Sequence, residues 1–347
     1  MTTPASTLSG FGFASHLFCR ECGATSALGA SHACAECFGP LEVGYELPPV
    51  TRAHIEAGPS NIWCYASLLP VPPGIAARPN TEPGWTRLAR TGQLARELGL
   101  RTLWLKDERG NPTHSFKDRV VAVALAAAVE MGYKVLACPS TGNLANAVAA
   151  AAARAGIRSV VLIPADLEPQ KIVATAVYGG TMVPIDGTYD DVNRLASELA
   201  DDREDWAFVN VNVRPYYAEG SKTIGYEIAE DLGWRLPSQI VVPVASGAQL
   251  VKIDKAFGEL ASLGLVPDAD VRVFGAQASG CAPVAAASAT ATTRSLNECV
   301  GLERSSLTHR HRIPSARARL SALTSGVHPG SVFGVAATSG GTGSRLA

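Results

Sequence analysis

Short runs of β-branched and aliphatic residues alternate with longer Ala/Leu-rich stretches from about residue 85 onward. The short runs predict strands over 102–105, 134–138, 159–163, 181–185, 207–211, 239–244 and 271–275. The longer stretches predict helices over 93–98, 116–131, 144–155, 172–178, 189–199, 221–232 and 250–263. Because strands that alternate with helices of this length form βαβ units, the pattern predicts an α/β protein with a parallel sheet.

Both ends of the chain lack this alternation. Residues 1–47 form a short Cys/Gly-rich module, and a Pro-rich connector follows over 69–83. Residues 285–347 are rich in Arg, Ser and His and show no helix or strand period. We therefore expect 285–347 to be an atypical, poorly ordered end that does not pack on the fold, because it cannot bury enough apolar surface.

Composition excludes several classes of protein. Hydrophobic residues make up 47% and charged residues 18% of the 347 residues, which excludes wholesale disorder. A net charge of −1 argues against a nucleic-acid partner. The most apolar runs are about ten residues long, half of what a membrane span needs. Since no secretory signal pattern is present, we expect a cytoplasmic protein without a membrane partner.

Four of the eight cysteines form two closely spaced pairs, Cys19-x2-Cys22 and Cys34-x2-Cys37. Zn²⁺ prefers four soft ligands in a tetrahedron, and each CxxC turn supplies two of them. With all four positions filled by protein, the pattern predicts a structural zinc site in a ribbon-like module. The alternative is four buried or redox-active thiols that bind no metal.

A lysine lies at the predicted start of the long helix over 116–131, in the segment Gly110-Asn-Pro-Thr-His-Ser-Phe-Lys117-Asp-Arg119. The helix dipole disfavours an ammonium at this end, and the apolar helix offers a desolvated wall. Both effects favour a neutral, nucleophilic amine of the kind that forms a Schiff base. The alternative is a solvated lysine paired with Asp118.

Two further strand–loop–helix junctions carry small residues. Residues 139–144 read Pro-Ser-Thr-Gly-Asn-Leu, and residues 242–250 read Val-Pro-Val-Ala-Ser-Gly-Ala-Gln-Leu. Small polar loops before a helix N terminus bind anions through their backbone N–H groups. An ordinary helix cap explains the first loop equally well.

The lysine segment resembles the cofactor-lysine motif of threonine synthases, and the resemblance extends over about residues 16–284. It implies a pyridoxal-phosphate enzyme of fold type II, the tryptophan-synthase-β-like fold, with two domains built on parallel twisted sheets. A large cofactor domain would comprise 48–132 and 233–284, and a smaller α/β domain 133–232. The ribbon module of 1–47 precedes them, and the fold shows dimers in many relatives, so a homodimer is a further expectation.

The resemblance also implies roles for individual residues. Lys117 would bond the cofactor and later move protons, and Asn143 would hydrogen-bond the phenolic oxygen of the cofactor. Ser140 and Thr141 would face the substrate, and either Arg214 or Lys222 would attract its phosphate. The cofactor phosphate would be held by the second loop, which departs from the glycine-rich form of many relatives: Ala245, Ser246, Gly247, Ala248 and Gln249.

The reaction implied is conversion of O-phospho-L-homoserine and water to L-threonine and phosphate. Other enzymes of the fold, such as cysteate synthase or a serine/threonine ammonia-lyase, remain open alternatives. So does a truncated, inactive paralogue that only binds cofactor or a partner. In the family, a later segment supplies a Ser or Thr hydroxyl to the pyridine nitrogen, and no matching pattern is found here, so slow turnover is expected.

Overall fold

The computed structural model describes residues 10–31, 33–280 and 282–285, together with the backbone of 334–338. Contacts divide the chain into two compact units. The first unit contains Met1–Trp85 and Asn111–Thr223, and the second contains Thr86–Gly110 and Ile224–Ala347. These divisions differ from the domain boundaries expected from the sequence, which remain predictions.

The strands in the described part of the chain belong to three sheets. In chain order they are β1 Ala14–Cys19, β2 Thr25–Ser26, β3 Leu41–Tyr45, β4 Arg87–Arg90, β5 Trp104–Asp107, β6 Val135–Pro139, β7 Arg158–Pro164, β8 Thr181–Ile185, β9 Trp206–Phe208, β10 Gln239–Pro243, β11 Arg272–Ala276 and β12 Gly334–Thr338. All seven predicted strands occur within a few residues of their expected positions.

The helices also match the predicted pattern. In chain order they are α1 Arg52–Glu56, α2 Gly92–Glu97, α3 Lys117–Glu130, α4 Asn143–Ala155, α5 Pro169–Ala176, α6 Tyr189–Asp202, α7 Arg214–Glu219, α8 Lys222–Asp231 and α9 Ala248–Ser262. The short helices α1 and α7 were not predicted, although the comparably short α2 was. No helix in the described ranges is long and apolar enough to cross a membrane.

The ribbon module is a small antiparallel sheet in the order β2–β1–β3. Its strands carry few aliphatic side chains, of which Leu17 and Val43 are fully buried. A module with so small a core needs a further source of stability, such as a metal.

The first unit is built around a four-stranded parallel sheet in the order β8–β7–β6–β9. Strands β6 and β7 are almost continuously apolar and buried, as expected for strands covered on both faces. Helices α4 and α6 both contact β6 and β7. The apolar cluster in this region contains Val135, Ala137, Val160, Leu162, Val192, Ala196 and Phe208.

Helix α3 is buried along nearly its whole length and packs against α4 and α7. Its Ala/Val composition fits this position, because small side chains let neighbouring helices approach closely. A second apolar cluster joins α3 to the segment before it: Ile62, Trp63, Leu69, Val71, Ile75, Ala122, Val123 and Ala126.

The second unit contains a mixed sheet in the order β11–β10–β12–β5–β4. Only β10 and β11 are parallel, whereas β12 is antiparallel to both β10 and β5. The expectation that nothing after residue 285 packs on the fold is therefore wrong for 334–338, whose short apolar run completes this sheet. Residues 286–333 and 339–347, to which the rest of that expectation applies, lie outside the described residues.

Candidate cofactor and metal sites

The strand order of the parallel sheet locates a ligand crevice in the first unit. The chain moves outward from β6 through β7 to β8 and then returns to place β9 on the other side of β6. Open parallel sheets bind ligands at the carboxyl ends of strands where the order reverses in this way. Here that point lies between β6, which is followed by Ser140–Asn143, and β9, which is followed by Asn210 and α7.

Lys117 is the first residue of α3, as predicted. Its Nζ atom donates a hydrogen bond of 2.9 Å to the hydroxyl of Tyr217 on α7, the helix that follows β9. The amine also lies 5.5 Å from the ring centroids of Phe116 and Tyr217. The amine of the half-buried Lys117 thus lies near two aromatic rings and is not paired with Asp118, the alternative left open by the sequence.

Asp118 instead fixes the loop before the helix. Its carboxylate accepts two hydrogen bonds of 2.8 Å from Thr113, one from the backbone N–H and one from the hydroxyl. His114 lies between Thr113 and Asp118 in the sequence and has a φ of 61°. This left-handed conformation costs energy in a residue other than glycine. The buried carboxylate therefore holds a strained turn that sets where Lys117 begins α3.

The predicted loop after β6 has the form expected of an anion site. Ser140 is buried, and its hydroxyl accepts from the N–H of Gly142 at 3.4 Å. Asn143 begins the 13-residue α4, and no side chain caps the N–H groups of its first turn. Free N–H groups at a helix N terminus bind carboxylates and phosphates. Ser140, Thr141 and Asn143 therefore lie at the strand-order reversal.

Two residues near the reversal were missed by the sequence analysis. Tyr217 contacts the lysine amine directly. Asn210 has a buried Oδ1 atom without a hydrogen-bond partner among the described residues. An unpaired buried acceptor costs free energy and is typical of a site completed by a ligand. The sequence assigned no role to either residue, and only the strand order places them here.

Lys222, which the resemblance offered as one of two cations for the substrate phosphate, is buried in the structure. Its Nζ atom is fully buried, pairs with Glu219 at 2.8 Å and donates to the backbone oxygen of Leu68 at 2.7 Å. The ring centroid of Tyr45 lies 4.1 Å from the same ammonium. These contacts give Lys222 a structural role that leaves it no access to a substrate phosphate. Arg214, the other cation considered, is exposed.

The second loop belongs to the second unit and runs from the end of β10 into α9. Gly247 has a φ of 81°, which this turn requires and which glycine adopts without strain. Gln249 has a buried Nε2 atom with no partner among the described residues. An orphaned donor beside the N terminus of a 15-residue helix fits a phosphate group. Ala245 and Ser246 are exposed at the turn, and Ala248 begins α9.

The four ribbon cysteines converge as predicted. Their sulfur atoms all lie within 4.8 Å of one another, with 3.4 Å between Cys19 and Cys37 and 3.7 Å between Cys22 and Cys34. Zn–S bonds of about 2.3 Å in a tetrahedron place sulfur atoms about 3.8 Å apart. A Cβ atom on Gly39 would lie 2.9 Å from the Cys19 sulfur, so only glycine leaves room for this arrangement.

Backbone N–H groups complete the thiolate cluster. The N–H of Glu36 donates to Cys34, and that of Gly39 donates to Cys37, each at 3.4 Å. A hydrogen bond from the backbone N–H of Cys22 is the main reason that the pKa of the Cys19 thiol is lowered to about 7. The backbone N–H of Gly39 likewise lowers the pKa of the Cys37 thiol. The hydrogen bonds from the thiols of Cys22 and Cys19 have the larger combined effect and raise that pKa to about 12. A divalent cation supplies the charge that lets four thiolates coexist.

Within the first unit, a lysine at a helix start and an anion loop at a strand-order reversal suit an anionic cofactor with a carbonyl group. The family model described as "Pyridoxal-phosphate dependent enzyme" matches residues 80–327. The chain belongs to this family.

Within that family, the chain is similar to threonine synthases. It is 36% identical over 274 residues to the enzyme of Methanosarcina acetivorans and 32% identical over 271 residues to that of Methanocaldococcus jannaschii. These alignments cover 78% and 77% of this chain but 66% of each relative, so the chain spans just under two thirds of their length.

A solved structure supports the fold. The processed form of threonine deaminase isoform 2 from Solanum lycopersicum aligns with a TM-score of 0.51 at 23% identity. The alignment covers 65% of this chain and 57% of that one. The predicted fold class, α/β of fold type II with a parallel sheet, is thereby confirmed.

Proposed function

We propose that this protein is a threonine synthase, which converts O-phospho-L-homoserine and water to L-threonine and phosphate. The observation that carries the proposal is the position of Lys117, at the start of a buried helix with its amine held by Tyr217. Similarity to threonine synthases over more than three quarters of the chain supports the choice of substrate. Bound pyridoxal phosphate would supply an electron sink that stabilises carbanions.

The remaining roles that we propose are those implied by the resemblance to threonine synthases. Lys117 would bond the cofactor and afterwards move protons, and the Tyr217 hydroxyl is the polar partner of its amine among the described residues. Asn143 would hydrogen-bond the phenolic oxygen of the cofactor, and Ser140 and Thr141 would face the substrate. The resemblance further implies that the loop after β10 would hold the cofactor phosphate, through Ala245, Ser246, Gly247, Ala248 and Gln249. Lys222 has no part in substrate binding.

We also propose that Cys19, Cys22, Cys34 and Cys37 bind one structural Zn²⁺. All four coordination positions come from protein, which leaves no open position for a reacting molecule. The cytoplasmic location and the homodimer remain predictions.

The reaction is tested by incubating the full chain, loaded with pyridoxal phosphate, with O-phospho-L-homoserine. We expect equal amounts of phosphate and threonine. In parallel incubations, formation of 2-oxobutanoate and ammonia from threonine would instead identify an ammonia-lyase, and formation of cysteate and phosphate from O-phospho-L-serine and sulfite would identify a cysteate synthase. A protein that binds cofactor but converts none of these substrates would be the inactive paralogue.

Replacing Cys22 with serine is expected to lower the zinc content of the purified protein from one ion per chain to less than about half. Loss of one thiolate leaves three ligands, so the ribbon module should also unfold more easily. Metal analysis under reducing conditions measures the effect. Cys138→Ala is the control, because the buried Cys138 lies outside the cluster and burial raises the pKa of its thiol. Wild-type protein without zinc would refute the assignment.

A further inference from the structure

Helix α7 contacts both the ribbon module and the helix that carries the cofactor lysine. It packs against β3 on one side and against α3 on the other. Neighbouring residues of α7 point to different partners, since successive helical positions are separated by about 100°. Tyr216 contacts the ribbon module, and Tyr217 contacts Lys117.

The ribbon side of α7 is held first through Tyr216, which is fully buried. Its hydroxyl accepts from the backbone N–H of Gly29 at 3.0 Å and donates to the oxygen of Gly29 at 3.3 Å. The ring of Phe11 lies 5.2 Å from the ring of Tyr216. Burial raises the pKa of Tyr216 to about 12, so the hydroxyl remains a donor throughout the physiological range.

A second connection links the ribbon to the end of α7. The hydroxyl of Tyr45, the last residue of β3, donates to Glu219 at 2.6 Å. Glu219 is also the carboxylate that pairs with the buried Lys222. Removing the Tyr45 hydroxyl would therefore weaken a network that sets the orientation of α7.

On the other side, α7 is fixed tightly to α3. A Cβ atom at Gly220, directly after α7, would lie 2.6 Å from the backbone oxygen of Arg119. The guanidinium of Arg119 donates to the hydroxyl of Thr223 at 3.1 Å. Because this contact anchors the C-terminal end of α7 on α3, a change on the ribbon side tilts α7 about Gly220 and alters the distance between the Tyr217 hydroxyl and the Lys117 amine.

The ribbon contact of α7 is itself controlled by the four cysteines. Gly29 lies in the loop that begins after Cys22 and ends at Cys34, whose sulfur atoms are 3.7 Å apart. A metal that joins these two sulfur atoms closes the loop and restricts where Gly29 can lie.

We propose that α7 couples metal occupancy of the four-thiolate site to the position of the Lys117 amine, with Tyr216 and Tyr217 as positioning residues. The inference rests on the proposed function only for the roles of Lys117 and of zinc. Metal binding holds Gly29, Gly29 holds Tyr216, and the rigid α7 then presents Tyr217 to the amine. A coupling of this kind is reciprocal, so a ligand that orders Lys117 also strengthens zinc binding.

The rate at which Lys117 is acylated tests the coupling. The full chain without cofactor is treated with an N-hydroxysuccinimide ester, and peptide mass spectrometry compares labelling at Lys117 with labelling at the exposed Lys171. We expect chelation of zinc to raise this ratio about fivefold or more, because the amine is released from Tyr217. Zinc added back should restore the original ratio, which distinguishes the coupling from irreversible unfolding.

Two matched variants identify the path. In Tyr216→Phe the ratio of labelling at Lys117 to labelling at Lys171 should be high. Zinc should still bind to this variant but should no longer change the ratio. In Tyr217→Phe the ratio should be high with or without zinc, and adding Tyr216→Phe should change nothing further. Tyr133→Phe, in the turn after α3, should behave as the wild type. If Tyr216→Phe does not fold, Tyr45→Phe interrupts the second connection and should reduce the response to zinc.

The proposal is overturned by a wild-type ratio that does not change on zinc removal, or by a zinc response that persists in Tyr216→Phe. Additive effects of the two tyrosine substitutions would also overturn it. Because the labelling uses neither cofactor nor substrate, its outcome is independent of the turnover assay that tests the proposed function.

Discussion

Lys117→Ala protein is expected to form threonine and phosphate at least about a thousandfold more slowly than the wild type. The loss is this large because one amine both bonds the cofactor and moves protons, and no second described lysine contacts Tyr217. Secondary structure and thermal stability should change little, since the side chain is half-buried and lies at the start of α3 rather than in its core.

The measurement is steady-state phosphate release, combined with borohydride reduction and peptide mapping of the cofactor-loaded wild type. The reduced cofactor should be found on Lys117. Lys134→Ala is the control, because Lys134 is exposed at the start of β6 and should leave turnover unchanged. Partial rescue of Lys117→Ala by added methylamine would support a chemical role. Reduced cofactor on a different lysine would contradict the assignment.

Lys222→Met is expected to destabilise the folded protein by about 3–5 kcal/mol. The substitution leaves the carboxylate of Glu219 buried without its countercharge, and both side chains are fully buried at 2.8 Å from each other. The midpoint of urea denaturation measures the loss. The double variant Glu219→Gln/Lys222→Met removes both charges and should recover most of the stability.

The chain contains a matched control for this pair. Glu168 and Lys171 are also three residues apart and lie 2.9 Å from each other, but their side chains are 61% and 48% exposed. Lys171→Met should therefore cost less than about 1 kcal/mol. If Lys222→Met were equally mild, the buried pair would not stabilise the unit, and Lys222 would again be a candidate for substrate binding.

The local pattern of the sequence was sufficient for the elements between residues 92 and 276 except α7. The seven predicted helices and seven predicted strands all occur, because each combines a clear period with turn residues at its ends. Strands β4 and β12 were missed. The exposed edge of β4 carries arginines, and β12 is only five residues of small side chains, so neither shows an alternating pattern.

The chemistry that could be found from the sequence was local in the chain. Two CxxC pairs and the segment around Lys117 each lie within about twenty residues, so their spacing alone identifies them. The same holds for the two loops, since a strand followed at once by small polar residues and a helix predicts an anion site wherever the strand lies in its sheet.

What the tertiary structure alone decided depends on contacts between distant residues. Tyr217 reaches Lys117 across 100 positions of sequence, and Tyr216 reaches Gly29 across 187. Burial also decided the roles of Arg214 and Lys222, the two basic residues after β9. In the sequence, Glu219 and Lys222 look like a solvated pair at the start of a helix, but both side chains are fully buried in the structure. The period of apolar residues indicates which side of a helix or strand is buried, but not which other element packs against that side. Strand order and long-range contacts were therefore known only from the folded chain.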